Sequence, residues 1–252
     1  MTTQSISSPE NPWQLQGFEA QLQIGPLSSK IILQNPSAGI RDIVWNRAAQ
    51  SGKVLGISLA KNSANQALTI GRGFETFARG SDLVARYPET QAQPFSLEVY
   101  WRVAVADSTC VQIDVIMSLQ TSLLECYPAI ETTTSLEAQE AWYIPTNSSA
   151  ARQLSMEEIL SSDEPAGVML RSQDGTWSYL EMTYPEDLGT WKASSSGTHR
   201  WNLQRTLGGD FQEKGVIRRL RVRSVFFSQE NDLEIAPSML IEFADSPPPL
   251  TT

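Results

Sequence analysis

Apolar and polar residues alternate almost without a break between Pro94 and Gln120. Every second residue is apolar from Phe95 to Val105, and again from Val111 to Leu119. Successive side chains of a strand point to opposite faces, so each stretch predicts a strand with one apolar face. The short polar segment Asp107–Thr109 predicts a turn that joins the two strands into an antiparallel hairpin.

Shorter alternating or β-branched segments recur along the rest of the chain, separated by turn-forming residues. Among these turns, Asp174-Gly175 predicts a second tight hairpin. The pattern predicts roughly a dozen strands or more, which is too many for one open twisted sheet. We therefore predict a large all-β, antiparallel two-sheet sandwich, with a closed β-barrel as the alternative.

Helical signals are confined to one polar connection. Ser155–Glu158 has the form of a capping box and is followed by two apolar residues, which predicts a short helix from Ser155 to about Leu160. Near the C-terminus, the pattern predicts a turn at Ser228–Asp232 and a final strand at Met239–Phe243.

The turn signals continue along the whole chain, and no linker is long enough to separate two cores. The sequence therefore predicts a single β-sandwich domain at residues 10–245. The segments 1–9 and 246–252 are predicted to be polar or proline-rich tails.

The net charge of −9 argues against a nucleic-acid partner, because nucleic-acid binding depends on positive charge. No apolar run approaches the roughly 20 residues of a membrane helix, and the polar N-terminus does not have the form of a secretory signal. No membrane association and a cytoplasmic location are therefore predicted. Cys110 and Cys126 are predicted to be free thiols.

One histidine and two separated cysteines are too few soft ligands for a zinc site. Gly71–Thr76 begins like a dinucleotide-binding loop, but Thr76 stands where the third glycine belongs. Phosphate-binding loops are absent from the sequence. Neither a metal nor a cofactor is predicted.

Five residues are the candidates for catalysis. Two carboxylates at a suitable separation can hydrolyse a glycosidic bond, and a histidine can transfer protons. The alternative is that the acids are ordinary solvated groups on a sheet face and that the histidine is structural. The candidates are Glu98, Asp114, Glu125, Glu131 and His199.

A cluster of arginines is the strongest functional signal. Arg219, Arg221 and Arg223 alternate along one predicted strand and therefore share one face. Like charges on one face repel unless an anionic group lies among them. That group is either a set of internal carboxylates or the carboxylate, sulfate or phosphate of a ligand, which arginine binds through two parallel hydrogen bonds. Arg205 and Trp201, from the preceding strand, complete the predicted ligand-binding set.

The predicted organisation resembles the large supersandwich shared by galactose mutarotases and carbohydrate-processing domains. This resemblance implies a carbohydrate-related function, but mutarotases use two histidines and a glutamate, and this chain has only His199. The first hypothesis is a non-catalytic module that binds a carbohydrate or an anionic small molecule on the face bearing arginine and tryptophan. A carbohydrate-active enzyme, epimerase-like or hydrolase-like, and a structural or interaction protein are the alternatives. The sequence leaves the oligomeric state open.

Overall fold

The computed structural model describes residues 11–60, 70–73, 75–146, 150–197 and 199–247, which form eighteen strands and one α-helix. The first nine strands are β1 (Trp13–Gln16), β2 (Glu19–Ile24), β3 (Leu27–Ile32), β4 (Ile40–Trp45), β5 (Ala48–Leu59), β6 (Glu75–Arg79), β7 (Asp82–Tyr87), β8 (Ser96–Asp107) and β9 (Cys110–Gln120). The others are β10 (Ala129–Glu137), β11 (Glu140–Pro145), β12 (Arg152–Gln153), β13 (Ile159–Ser162), β14 (Ala166–Arg171), β15 (Trp177–Thr183), β16 (Leu188–Ser196), β17 (Arg200–Gly208) and β18 (Ile217–Ser228). The helix is α1 (Asp232–Asp245).

The strands form two antiparallel sheets of nine strands each. Sheet A has the order β1-β2-β3-β4-β5-β10-β17-β16-β13, and sheet B has the order β12-β11-β14-β15-β18-β9-β8-β7-β6. Neither sheet closes on itself, so the predicted two-sheet sandwich is confirmed and the barrel alternative is wrong.

The central hairpin has the register that its alternation predicts. β8 and β9 pair with Trp101 opposite Val115 and Val103 opposite Ile113, and all four side chains are buried. The second hairpin forms between β14 and β15, where Gly175 adopts the left-handed conformation (φ 69°) that its turn requires. In both cases the local sequence signal and the strand pairing agree.

The inward faces of the two sheets share one apolar core. Its largest side chains are tryptophans, and six of the seven tryptophans are at most 2% exposed. Trp142 is the exception, and the guanidinium group of Arg171 lies 5.3 Å from the centre of its ring. The tryptophans of this chain therefore serve mainly to fill the core.

A charged pair lies inside this core. The Nε atom of Arg205, on β17, donates to the Glu181 carboxylate, on β15, at 2.8 Å, and both side chains are 1% exposed. Thr134 and Tyr179 donate to the same carboxylate at 2.6 and 2.7 Å. The pair therefore links sheet A to sheet B, and each charge is balanced by the other.

The C-terminal segment differs from the sequence-based prediction. The turn expected at Ser228–Asp232 forms at residues 229–231, but the strand expected at Met239–Phe243 does not, because helix α1 occupies this segment and packs on the outer face of sheet B. Ala236, Leu240 and Phe243 are buried at helical spacing. Pro237 inside the helix and the apolar run after it obscured this periodicity.

The helix predicted at Ser155–Leu160 is also absent. The capping-box contact does form: the backbone N–H of Ser155 donates a hydrogen bond to the Glu158 carboxylate at 3.4 Å. The following residues instead form β13, which pairs with β16 at the edge of sheet A. Strand pairing thus overrides a correct local turn signal.

No helix within the described ranges is long and apolar enough to cross a membrane. The predicted tail at 1–9 and most of the tail at 246–252 lie outside the described residues.

Replacing Arg205 by Met should destabilise the protein by about 3–5 kcal/mol, because the Glu181 carboxylate would remain buried without its cation. Chemical denaturation monitored by tryptophan fluorescence measures this change. The double variant Arg205→Met, Glu181→Leu removes both charges and should recover most of the loss. A loss below about 1 kcal/mol in the single variant would contradict a structural role for the pair.

Candidate functional site on the outer face of sheet B

Charged side chains from four neighbouring strands form a row on the outer face of sheet B. Asp82, Arg102, Asp114 and Arg223 stand opposite one another across β7, β8, β9 and β18. Arg102 donates to both oxygens of Asp82 at 2.8 and 2.9 Å, and Arg223 donates to both oxygens of Asp114 at 2.6 and 2.9 Å. In this first row, every arginine has its own carboxylate.

A second row lies four residues further along the same strands. It consists of Arg86, Glu98, Ser118 and Arg219. The Glu98 carboxylate accepts hydrogen bonds from Arg86 and from the hydroxyl of Tyr100. On β9, this row has the neutral Ser118 in the place that Asp114 takes in the first row.

Arg219 therefore faces a hydroxyl group where Arg223 faces a carboxylate. Within the described part of the chain, its guanidinium group makes no ion pair, and its Nε atom is shielded from solvent without a hydrogen-bond partner. A buried donor without an acceptor is costly. Arg219 is thus a half-buried cation of this face that has no carboxylate partner among the described residues.

Two open pockets meet at Ile217, which lines both, and Arg219 lines the second of them. The first, of about 360 Å³, is lined by Arg86, Tyr87, Ser96, Leu97, Glu98, Ser118, Gln120 and Ile217. The second, of about 400 Å³, is lined by Tyr184, Glu186, Asp187, Ile217, Arg218, Arg219 and Arg221. The unpaired guanidinium group thus lies beside space large enough for a small ligand.

Arg221, between the two rows, has a structural environment. Its guanidinium group donates to the Ser246 hydroxyl at 2.9 Å and approaches the carbonyl oxygens of Phe243 and Pro247 at 3.4 and 3.3 Å. It also lies 4.5 Å from the ring centres of Tyr184 and Phe243. A cation at the C-terminal end of a helix interacts favourably with its free carbonyl groups. Arg221 therefore holds α1 against the sheet.

Asp187 is the buried acid of the second pocket. Its Oδ2 atom accepts a hydrogen bond from the backbone N–H of Arg221 at 2.8 Å, and the residue is 9% exposed. Burial raises the pKa of Asp187 to about 6, although its hydrogen bond from the Arg221 backbone and the nearby Arg218 and Arg221 charges act in the opposite direction. This carboxyl group therefore changes its charge near neutral pH.

The structure does not bring the five catalytic candidates together. Glu98 and Asp114 share the outer face of sheet B, but each is engaged by an arginine. Glu125 lies in an exposed loop, where it accepts a hydrogen bond from Tyr127. Glu131, on sheet A, accepts one from Gln204, and His199 is exposed beside β17.

Two members of the predicted ligand-binding set lie elsewhere. Arg205 and Trp201 were expected on the same face as the three arginines of β18, but they point into the core from sheet A and are 1% exposed. Alternation within β17 places them on its inward side, which is apolar except for Arg205. The expectation that all five residues share one face is corrected.

Two polar residues that line the pockets, Asp187 and Gln120, are not among the residues predicted from the sequence. Asp187 follows Pro185 in a short 3₁₀ turn, a position that resembles an ordinary loop acid.

Within the described ranges, no three His, Cys, Asp or Glu side chains are grouped as metal ligands.

Replacing Arg221 by Met should lower the free energy of unfolding by about 1–3 kcal/mol, because the carbonyl groups at the end of α1 lose their buried donor. Arg219→Met should be nearly neutral, since that side chain has no partner in the described structure. Thermal and denaturant unfolding of the two variants provides the comparison. Equal losses would contradict the different roles assigned to the two arginines.

Protonation of Asp187 should make the folded state more stable in mild acid than at neutral pH. Its pKa is about 6 in the folded protein and near 3.8 when unperturbed, so the folded state binds the proton more tightly. This contribution is fully present below about pH 4 and is lost as pH rises through 6. Asp187→Asn should flatten that part of the stability profile, whereas the exposed Asp163→Asn should not. An unchanged slope in Asp187→Asn would refute the assignment.

Comparisons with known proteins identify the fold but not a family. No family model and no curated protein matches this chain. Among solved structures, a protein assigned as an aldose 1-epimerase from Klebsiella pneumoniae subsp. pneumoniae MGH 78578 matches with a TM-score of 0.58 and 6% identity, covering 93% of this chain and 87% of that one. The α-N-acetylgalactosaminidase NagBb from Bifidobacterium bifidum, in its GalNAc complex, matches with a TM-score of 0.52 and 12% identity over 86% of this chain and 36% of the enzyme. The chain thus has a two-sheet fold that also occurs in carbohydrate-active enzymes.

Proposed function

We propose that this chain is a non-catalytic binding module that holds an anionic carbohydrate at Arg219. The ligand is a sugar that carries a carboxylate or a sulfate group. Such a group accepts two parallel hydrogen bonds from a guanidinium group, and the remaining hydroxyl groups of the sugar need neutral polar partners.

The break in the second charge row carries this proposal. Four strands align Arg86, Glu98, Ser118 and Arg219, and the position next to Arg219 is neutral. In the first row, the equivalent position is Asp114, which neutralises Arg223. An anion from outside the chain would complete the second row as Asp114 completes the first.

Neutral groups beside Arg219 suit the rest of a sugar. Ser118 and Gln120 line the first pocket with a hydroxyl and an amide, and both project from the strand that neighbours β18. Hydroxyl and amide groups both donate and accept hydrogen bonds, as sugar hydroxyl groups require. The pocket volume of about 360 Å³ lies at the lower end of the range for small-molecule sites.

The carboxylates near the site favour binding over catalysis. Glu98 is held by Arg86 and Tyr100, and Asp114 is held by both guanidinium nitrogens that Arg223 directs toward it. Each carboxylate thus has its hydrogen-bond partners within the chain, which favours a structural role for both.

A carbohydrate-active enzyme is the second candidate, and Asp187 is the observation that favours it. A carboxyl group with a pKa of about 6 in a pocket suits a general acid. Glu186 lines the same pocket and would be the second carboxylate that glycoside chemistry requires. Fold similarity to carbohydrate-active enzymes does not decide between the two candidates.

Isothermal titration calorimetry with glucuronic acid, galacturonic acid and glucose 6-sulfate tests the proposal, with glucose as the neutral reference. We expect at least one acidic sugar to bind, and to bind more weakly as ionic strength rises. Arg219→Met should weaken binding about tenfold or more, as expected for the loss of a charge-assisted contact. Arg79→Met, which removes an exposed charge from β6, is the matched control and should leave binding unchanged.

Failure of all three acidic sugars to bind would contradict the proposal, as would equal weakening in Arg219→Met and Arg79→Met. NMR spectra of each mixture over time separate the two candidates. If the sugar is converted, and if this conversion is lost in Asp187→Asn, the enzyme is the correct candidate and the binding module is wrong.

A further inference from the structure

Exposed apolar side chains concentrate at one end of the sandwich. In the described part of the chain, twelve large apolar residues are exposed, and half of them lie on two adjacent loops and the first residue of β18. We call these six residues the end patch. They are Leu123 (44% exposed), Leu124 (82%), Tyr127 (58%), Phe211 (51%), Val216 (48%) and Ile217 (51%).

The two loops that carry the end patch are fastened to each other. Cys126 and Gln212 exchange backbone hydrogen bonds of 3.2 and 2.8 Å, and the N–H of Gly215 donates to the carbonyl of Thr121 at 3.1 Å. The buried side chain of Gln212 also donates to the carbonyl oxygens of Leu119 and Val216 at 2.9 and 2.6 Å. The loops are thus held in one arrangement with their apolar side chains facing outward.

A fixed apolar surface of this kind is typical of an interface. Single exposed apolar residues are normal, whereas a contiguous group rimmed by polar residues marks an interaction site. The rings of Tyr127 and Phe211 lie 5.9 Å apart and form the aromatic part of the patch. Aromatic side chains are enriched where protein surfaces meet.

Exposed charges of both signs lie at the rim of the end patch. Glu125, Glu213 and Lys214 are exposed at its rim, and Asp210 is already paired with Arg218 at 2.6 Å. In a two-fold contact, a residue of one copy meets a different residue of the other, and each such pair occurs twice. Lys214 of each copy can therefore meet a rim carboxylate of the other around an apolar centre.

We infer that the end patch binds a second copy of this chain in a two-fold symmetric dimer. A stable dimer buries about 800 Å² on each partner, and six largely exposed apolar residues with their polar rim form a surface of that order. Because each copy has a net charge of −9, the copies repel each other over most of their surfaces. The apolar contact must overcome this repulsion. Exposed Lys214–carboxylate pairs at the rim contribute little, so the screening of the net repulsion decides the effect and added salt should strengthen the dimer.

Ile217 belongs to the end patch and also lines both pockets beside Arg219. The second copy would therefore lie next to the candidate site, and the dimer would hold two such sites close together. This consequence rests on the proposed function, whereas the dimer itself does not.

Analytical ultracentrifugation of the full chain, from low micromolar to roughly millimolar concentration, tests the inference. We expect a dimer that dissociates on dilution and that persists to lower concentration at higher salt. Leu124→Glu and Phe211→Glu should each give a monomer over the whole range. Ile159→Glu places the same charge on an apolar residue at the edge of sheet A whose exposure (65%) lies between those of Leu124 (82%) and Phe211 (51%), and should leave the dimer intact.

A wild-type chain that is monomeric at every concentration would overturn the inference, and so would a dimer that both end-patch variants retain. Circular dichroism of each variant checks that a monomer is folded. Since Leu124 is 82% exposed, its replacement keeps the test valid even if Phe211→Glu fails to fold. Titration of the monomeric variant with the acidic sugars separates failure of the dimer from failure of the proposed function.

Discussion

The sandwich depends on charge compensation in its core. Arg205 and Glu181 come from different sheets, and each balances a buried charge that would otherwise be uncompensated. The pair works only when β17 lies opposite β15 at one relative position, because Thr134 and Tyr179 must reach the same carboxylate. Apolar side chains pack in many similar arrangements, whereas this network has one geometry. It thereby fixes how sheet A lies on sheet B, and so which residues of β18 face outward.

The need to compensate a positive charge also organises the outer face of sheet B. The three arginines of β18 on this face differ in how their charge is compensated. Arg223 has a carboxylate from the neighbouring strand, and Arg221 has the carbonyl groups at the end of α1. Arg219 has a serine beside it and lines an open pocket. A single neutral residue in an otherwise charged row thus separates a structural cluster from a candidate binding site.

Helix α1 belongs to this arrangement and is held at both ends. Arg171 donates to both oxygens of the buried Asp232 at its N-terminal end, at 2.9 and 2.6 Å, and Arg221 holds its C-terminal end. Between these anchors, Leu240 and Phe243 cover apolar residues of the outer face. The helix therefore covers the apolar part of the face and reaches the first charge row, where the Phe243 ring lies 4.7 Å from the guanidinium group of Arg223. It leaves an open pocket beside Arg219.

The sequence alone determined the elements whose signal is local. Period-two alternation specified the β8–β9 hairpin, the outward side of Arg219, Arg221 and Arg223, and the class of fold, because side-chain direction in a strand follows from residue parity. The partner of each charged side chain depends on contacts between distant segments, so only the tertiary structure decided these pairings. Alternation could not show that Arg205 pairs with Glu181. Nor could it show that Asp114 lies opposite Arg223 while Ser118 lies opposite Arg219. The hydrogen bond from the backbone N–H of Arg221 to Asp187 was equally out of its reach. For the same reason, β13 forms although a capping box precedes it, because strand pairing outweighs a helix-cap preference of about 1 kcal/mol. Helix α1 forms although it contains Pro237, because the burial of its apolar side outweighs a proline penalty of about 3 kcal/mol.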